Sequence, residues 1–249
     1  KIESDGLYYP LAEELGASHP YFSKKATHIL KHHGVYQQDN RDTRAERKKS
    51  GRDPDFRQMA RLKLPGGKVT AEQYLLCNEL ADRYGQGDMR VTSRQDLQFH
   101  GIDKHELRSI IHDFNVLARL STFGACGDVV RNVIVPPVAD IDPRYGNYGA
   151  QLQILAEKIS RHFAPETSAY NEIWLDGQQL RVHADSTVTC VPPRSPASKE
   201  EHFYGNAYLP RKFKVAIATD FDNSVDVYAN DVGLIAVADE KELLGFEVV

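Results

Sequence analysis

Between residues 59 and 117 the apolar pattern switches repeatedly between a strand period and a helix period, and that alternation limits the folds open to the chain more than any other feature. RLKLPGGKV, residues 61–69, reads as a short strand running into a Pro-Gly-Gly turn. TAEQYLLCNELADRYG, residues 70–85, reads as a helix: Thr70 and Gln73 have capping-box spacing, Leu75, Leu76, Leu80 and Tyr84 keep a helical stripe, and Gly85 supplies a stop. RVTSRQDLQFHG, residues 90–101, reads as extended. A second helix starts at Asp103, with Glu106 in the matching capping position and Leu107, Ile110, Ile111, Phe114 and Leu117 as its apolar stripe. Strand, helix, strand and helix in about sixty residues predict an α+β unit with helices on one face of a sheet.

The other face of that sheet carries the chemistry. In an extended segment alternate side chains share a side, so Val91, Leu97 and Phe99 face the core while Arg90, Thr92, Arg94, Gln98 and His100 face away from it. Asp96 is the one acid in this run of cations and hydrogen-bond donors, which predicts a bed for something anionic. Arg61 and Lys63 sit two apart in RLKLPGG, Arg131 follows the Gly-rich turn GACGD, and Lys212 and Lys214 share a strand face in LPRKFKVAI. Each alone is an ordinary surface cation; their repeated placement where strands begin, beside Gly or Pro, predicts an anion site.

Composition makes the basic surface local. A formal net charge of -4 and a pI near 6.2 argue against a general nucleic-acid binder. No apolar run approaches membrane-spanning length, and KIESDGLYYPLAEELG has neither the apolar core nor the cleavage site of a secretory signal. We therefore expect a cytoplasmic protein (plastid, if from a plant) with no nucleic-acid or membrane partner; the first residue, Lys rather than Met, fits an excerpt of a longer chain. Cys77, Cys126 and Cys190 have neither zinc nor redox spacing. Cys77 falls among helical leucines as a buried thiol, Cys126 lies between glycines where it could face a site, and Cys190 sits in a Pro-rich stretch.

Three regions are expected. Residues 1–58 read as a polar, irregular arm whose basic run (Arg41, Arg44, Arg47, Lys48, Lys49, Arg52, broken by Asp42 and Glu46) is a solvated face or, alternatively, a docking patch. Residues 59–123 hold the alternating unit. From 124 onward RNVIVPP reads as a strand, LQILAEKISRHF as a helix, EIWLDGQQLRV as a hairpin turning at Asp176 and Gly177, and KFKVAIAT, GLIAVAD and LLGFEVV as further strands; residues 185–205 read as a surface loop.

The runs HHGVYQQDNRDTRAER, ARLKLPGGKVTAEQY, MRVTSRQDLQFHGI, GACGDVVRNV, YNEIWLDG, YLPRKFKVAI and DNSVDVYANDVGLIAV resemble, in order and spacing, the amino-terminal half of the assimilatory sulfite reductase haemoprotein family. The resemblance implies a ferredoxin-like half-domain over 59–123 followed by a mixed-sheet α/β siroheme-binding domain over 124–249, a first copy cut short. It also implies six-electron reduction of sulfite to sulfide with siroheme coupled to a [4Fe-4S] cluster. Family residues that bind siroheme match Arg90, Thr92, Arg94, Gln98 and His100, with Lys63 where the family has a basic residue; those that hold the sulfite oxygens match Arg61, Arg131, Lys212 and Lys214. Guanidinium groups suit a polycarboxylate because each can grip a carboxylate through two parallel hydrogen bonds. Two departures stand out. Val130 precedes Arg131 where the family has Asn, and the two cysteine pairs that hold the cluster have no counterpart here, so its ligands are expected outside this chain. Siroheme nitrite reductases share fold and cofactors, and a half-protein that binds siroheme or a partner without catalysis is the other alternative; QQDNRD and LPGG look more like the sulfite enzymes. The resemblance implies ferredoxin or an NADPH-dependent flavoprotein as electron donor, and GACGD and DNSVD look more like the ferredoxin branch.

Overall fold

The computed structural model describes residues 1–182, 188–191, 201–239 and 242–249. Its first sheet is antiparallel, in the order β1 (Val35–Asp39), β2 (Phe56–Arg61), β4 (Leu97–Ile102), β3 (Met89–Val91). Helix α4 (Ala71–Tyr84) packs on β3 and β4, and α5 (Leu107–Val116) packs beside α4 with Phe114 against Phe99 of β4, ring centroids 4.6 Å apart. α4 starts where the sequence places it: Thr70 Oγ1 accepts from Gln73 N–H at 3.2 Å and Gln73 Oε1 accepts from Thr70 N–H at 3.0 Å, closing the capping box. Its buried side is Cys77, Leu80 and Ala81, however, and Leu75 is 68% exposed, so the stripe is rotated toward the smaller side chains.

α5 differs at both ends. Asp103 makes no cap because its carboxylate is held by Arg57, and the chain enters through a 3-10 turn over Lys104–Glu106. Leu107, Ile110, Ile111 and Phe114 are fully buried, whereas Leu117 lies past the helix and is exposed.

Residues 1–58 are not an irregular arm. They form α1 (Leu11–Leu15), α2 (Lys24–Leu30), β1 and α3 (Arg41–Lys49), and they place Leu7, Leu11, Phe22, Ala26, Ile29 and Leu30 in the main core. The polar composition concealed this because the apolar residues are few, yet most of them are buried or half-buried; Ile2, Tyr9 and Tyr21 are the large ones exposed. Polar contacts of Lys104 and His33, among others, fasten the segment. Lys104, 2% exposed, donates to the carbonyls of Ala17 (3.1 Å) and His19 (2.9 Å) and lies over the Phe22 ring. His33, fully buried, accepts from the Trp174 indole N–H at 2.8 Å and donates from Nε2 to Leu7 O at 2.9 Å; desolvation drives its pKa to about 3 and keeps it neutral. α3 carries the basic run as a solvated helix, with Arg44 gripping Asp39 and Arg52 paired to Glu46.

The second sheet is mixed, in the order β10 (Leu243–Val248), β9 (Val232–Ala238), β8 (Phe213–Thr219), β5 (Val130–Ile134), with β5, β8 and β9 parallel and β10 antiparallel to β9. Helix α6 (Gly149–His162) packs against β5. The expected hairpin at EIWLDGQQLRV is half correct. Residues Ala169–Trp174 form a short helix, α7, whose buried Tyr170, Ile173 and Trp174 repeat at helical spacing, and only after the turn at Asp176 and Gly177 does β6 (Gln179–Val182) pair with β7 (Val188–Val191). Most of the expected loop at 185–205, like the Cys190 side chain, lies outside what is described; within it Glu201 and Tyr204 are buried. No helix among the described residues is long and apolar enough to cross a membrane.

Candidate functional site

The segment RVTSRQDLQFHG is a hairpin rather than one extended run: β3, a turn over residues 92–96, and β4. Pairing nevertheless keeps the expected polar face, because residues directly opposite in a sheet point the same way. Arg90 sits opposite Gln98, and Gln98 opposite Arg61, so three strands contribute one polar row. With its carboxamide turned to satisfy both neighbours, Gln98 accepts from Arg61 Nε at 3.1 Å and faces the His100 ring. His100 also lies 3.1 Å from Gln38 Oε1, and burial, then the nearby Arg90, lower its pKa. Behind the row Leu97 and Phe99 are buried, as expected; Val91 is 79% exposed because β3 is the sheet edge. Beside Arg90 and His100 opens a cavity of about 720 Å³ that also takes in Gln38, Arg41 and Arg57. Arg90 is held there by Asp88, at 3.2 Å from Nε and 3.1 Å from Nη2.

Thr92 and Arg94 lie in the turn and do different work. Thr92 Oγ1 accepts from Arg94 N–H (3.1 Å) and Asp96 N–H (3.2 Å), which shapes the turn. Arg94 points into the protein: it donates to the Asn230 carboxamide and to the carbonyls of Asn132 and Val215, the last at 3.0 Å, while its Nε is buried without a partner. Burial lowers its pKa to about 10. Gln95 completes the junction, donating to Val135 O at 2.6 Å and accepting from Val135 N–H at 3.2 Å.

Arg61, Lys63, Arg94 and Arg131 are gathered about this turn and the Gly-rich loop that precedes β5. Arg131 donates to Gly127 O at 3.2 Å, and its charge acts on Arg94 and, together with that of Arg61, on Cys126 and Tyr36. Lys63 pairs with Ser121 as an isolated bridge, and desolvation of its ammonium lowers its pKa to about 8. Cys126 does face this site, but as a buried thiol pushed up to about 11 in contact with Tyr36, whereas Cys77 is simply buried and pushed up to about 12. Val130, in place of a polar residue, is buried, and its N–H donates to Tyr204 Oη at 3.1 Å.

Lys214 lies on the strand beside Arg131: β5 pairs with β8 from Val130 opposite Phe213 to Val133 opposite Val215. Lys214 donates to Ala229 O, and its N–H donates to Asp231 at 2.8 Å. Lys212 is exposed just before β8.

The burial of two polar groups, Asn132 and Asp96, is not apparent from the sequence. Asn132 Nδ2 donates to Leu64 O (2.6 Å) and Arg94 O (2.8 Å), pinning the Pro-Gly-Gly turn and the hairpin turn to β5. Asp96, 1% exposed, accepts from Leu64 N–H at 3.2 Å through Oδ1 and leaves Oδ2 unpartnered; burial raises its carboxyl to about 7, against the pull of that N–H and of Arg61, Arg94 and Lys63. Both lie inside motifs that were singled out, RNV and RQD, but a short polar residue in a strand or turn gives no sign that it points inward. Among the described residues no group of three or more His, Cys, Asp and Glu side chains is placed to hold a metal ion.

Comparison with known proteins agrees with this architecture. The model of the nitrite/sulfite reductase ferredoxin-like half domain matches residues 50–116, and that of the nitrite and sulphite reductase 4Fe-4S domain matches residues 155–249. The sulfite reductase [NADPH] hemoprotein beta-component of Acidithiobacillus ferrooxidans is 42% identical over all of this chain and 41% of its own length. The corresponding Staphylococcus saprophyticus protein is 40% identical over 91% of this chain and 37% of its own length, and the sulfite reductase [ferredoxin] of Synechococcus elongatus 39% over all of this chain and 39% of its own. The chain thus spans about two fifths of the curated relatives it matches. The solved structure of Mycobacterium tuberculosis NirA superimposes with a TM-score of 0.60 over 99% of this chain and 38% of its own, at 17% identity, a likeness of fold. With both sheets, two domain models and relatives near 40% identity in agreement, this chain belongs to the nitrite and sulfite reductase family.

Proposed function

We propose that this chain is the siroheme- and substrate-binding part of a cytoplasmic sulfite reductase acting in sulfur assimilation, with residues 1–58, 59–123 and 124–249 as its arm, its ferredoxin-like half-domain and its first siroheme-binding domain. The observation that carries the reading is the row Arg61, Gln98, Arg90 with His100 beside it, backed by a rigid apolar face and flanked by Lys63 and Arg131. That donor set suits a polycarboxylate tetrapyrrole, and the buried, unpartnered Nε of Arg94 is one donor still open for it. Arg90, Thr92, Gln98, His100, Lys63 and Arg94 would hold siroheme. The [4Fe-4S] thiolates would come from outside this chain, since residues 155–249 contain one cysteine, Cys190.

When bound, the siroheme and cluster would relay to the substrate the six electrons that an external donor supplies. The chain's own part is electrostatic. Arg61 and Arg131, joined by Lys212 and Lys214, would hold the sulfite oxygens and stabilise the negative charge that accumulates on them, while the lysines or bound water would deliver the protons with which oxygen leaves as water. The donor we favour is ferredoxin; relatives carry both ferredoxin and NADPH in their names. In a complete reductase containing this chain, Arg61→Met is expected to keep the siroheme absorbance and lose sulfite turnover by about 100-fold or more. Turnover within about twofold of the parent would remove Arg61 from the site.

A further inference from the structure

We propose that Asp96 is the charge-compensating acid of the cationic cluster: an oxyanion bound among Arg61, Lys63 and Arg131 drives a proton from solvent onto the Asp96 carboxylate, so that anion binding is coupled to proton uptake inside the protein. The inference rests on reading that cluster as an oxyanion site.

Asp96 is 1% exposed and its carboxyl has one hydrogen bond, from Leu64 N–H to Oδ1; Oδ2 has none. A buried carboxylate with half its acceptors unmet survives as an anion only in the field of nearby cations. Here that field comes from Arg61, Arg94 and Lys63. Arg94 is committed to Asn230 and to the carbonyls of Asn132 and Val215. The compensation that can change is therefore that of Arg61 and Lys63, two cations an arriving oxyanion would neutralise. Once they are neutralised, the oxyanion and the Asp96 carboxylate are like charges in a site shielded from water, and the carboxylate relieves the repulsion by taking up a proton.

The remaining neighbours leave this role to Asp96. Cys126, on the Gly-rich loop, feels Asp96 but is pushed up to about 11 and stays a thiol near neutrality; the Tyr36 hydroxyl from β1 is likewise raised and stays protonated. Arg131 from β5 and Asp231 before β9 act on Arg94, itself a neighbour of the carboxylate. Lys63, at about 8, also gains a proton when an anion binds, but on the basic side of neutrality. The Asp96 carboxyl, at about 7, is poised where a modest change of field moves a proton.

The test is a carboxyl-carbon NMR titration of the chain labelled at aspartate, from about pH 4 to about pH 9, with and without inorganic sulfate, an anion that does not itself titrate in that range. The Asp96 signal is assigned by its loss in Asp96→Asn, and the arginine Nε–H signals are followed in the same samples. The expected midpoint is near 7 without sulfate, rising by about one unit with it. If the Arg61 and Arg131 signals respond to sulfate while the Asp96 midpoint stays fixed, anion binding is real and the coupling is refuted. If neither arginine responds, the oxyanion reading of the cluster falls and the inference falls with it. Should Asp96→Asn fail to fold, calorimetry of the parent chain at about pH 6.5, where Lys63 is already protonated, in buffers of different ionisation heat gives the same answer: a fraction of a proton taken up per sulfate bound supports the coupling, and none refutes it.

Discussion

Arg94, in the turn of the first sheet, donates to the main-chain oxygen of Val215, 121 positions further along the chain in a central strand of the second, at 3.0 Å. The same guanidinium also bonds Asn132 O and the Asn230 carboxamide, so a residue whose motif points to cofactor binding is first of all a bolt between two sheets. Removing it leaves buried carbonyls without donors. Arg94→Ala should lower stability by about 3 kcal/mol or more, read as a lower urea midpoint. Arg94→Lys should recover little, because one ammonium cannot reproduce the fork. A midpoint unchanged in Arg94→Ala would mean that the sheets are held together elsewhere.

Asn132 works from the other side of that junction. Asn132→Ala removes its bonds to Leu64 O and Arg94 O and should cost about 2 kcal/mol, with the Leu64–Gly67 and Arg94 amides losing hydrogen-exchange protection before the rest of the sheet. Uniform loss of protection would argue against a local pin.

Gly34 separates conformation from space. Its φ is +80°, and an added Cβ would meet Thr122 O at 2.1 Å, whereas Gly51, with φ +66°, has open space around it. Gly34→Ala should therefore destabilise by several-fold more than the cost of about 1 kcal/mol expected for Gly51→Ala. Equal effects in denaturant titrations would contradict the close approach.

Buried histidines predict an acid-side loss of stability. His32 and His33 have pKa values lowered by burial to about 4 and about 3, so the unfolded chain takes up protons first. Their contribution is complete above about pH 6.5 and declines as the pH falls toward those values. Asp96, an acid with a raised pKa, changes stability in the opposite sense, declining as pH rises from about 4 toward 7. In Asp96→Asn the thermal midpoint should accordingly drop between about pH 7 and about pH 5; a flat profile would show that neither histidine is held neutral.

The alternating strands and helices, the Thr70 cap and the polar face through Arg90, Gln98 and His100 were all legible in the sequence, because each depends on local period or on residues near one another in the chain. What was not legible depends on long-range packing. The sequence shows RVTSRQDLQFHG as polar and apolar in turn, but the chain reverses at Thr92–Asp96, and it is this reversal that sends Arg94 and Gln95 into the second sheet. Tyr170, Ile173 and Trp174 have helical spacing within a run too short for periodicity to outweigh β-forming composition. The arm was misread because His33 and Lys104, polar residues, are its anchors, and burial of a polar group is decided by a partner far away in sequence.

The account stands on the first sheet's polar row being the bed of siroheme. The most direct measurement is the siroheme content of a complete reductase containing this chain, compared between the parent and the Arg90→Ala, His100→Ala double variant, with circular dichroism as the check on folding. The account predicts native dichroism with siroheme affinity reduced about tenfold or more. Undiminished affinity in a folded double variant would contradict it.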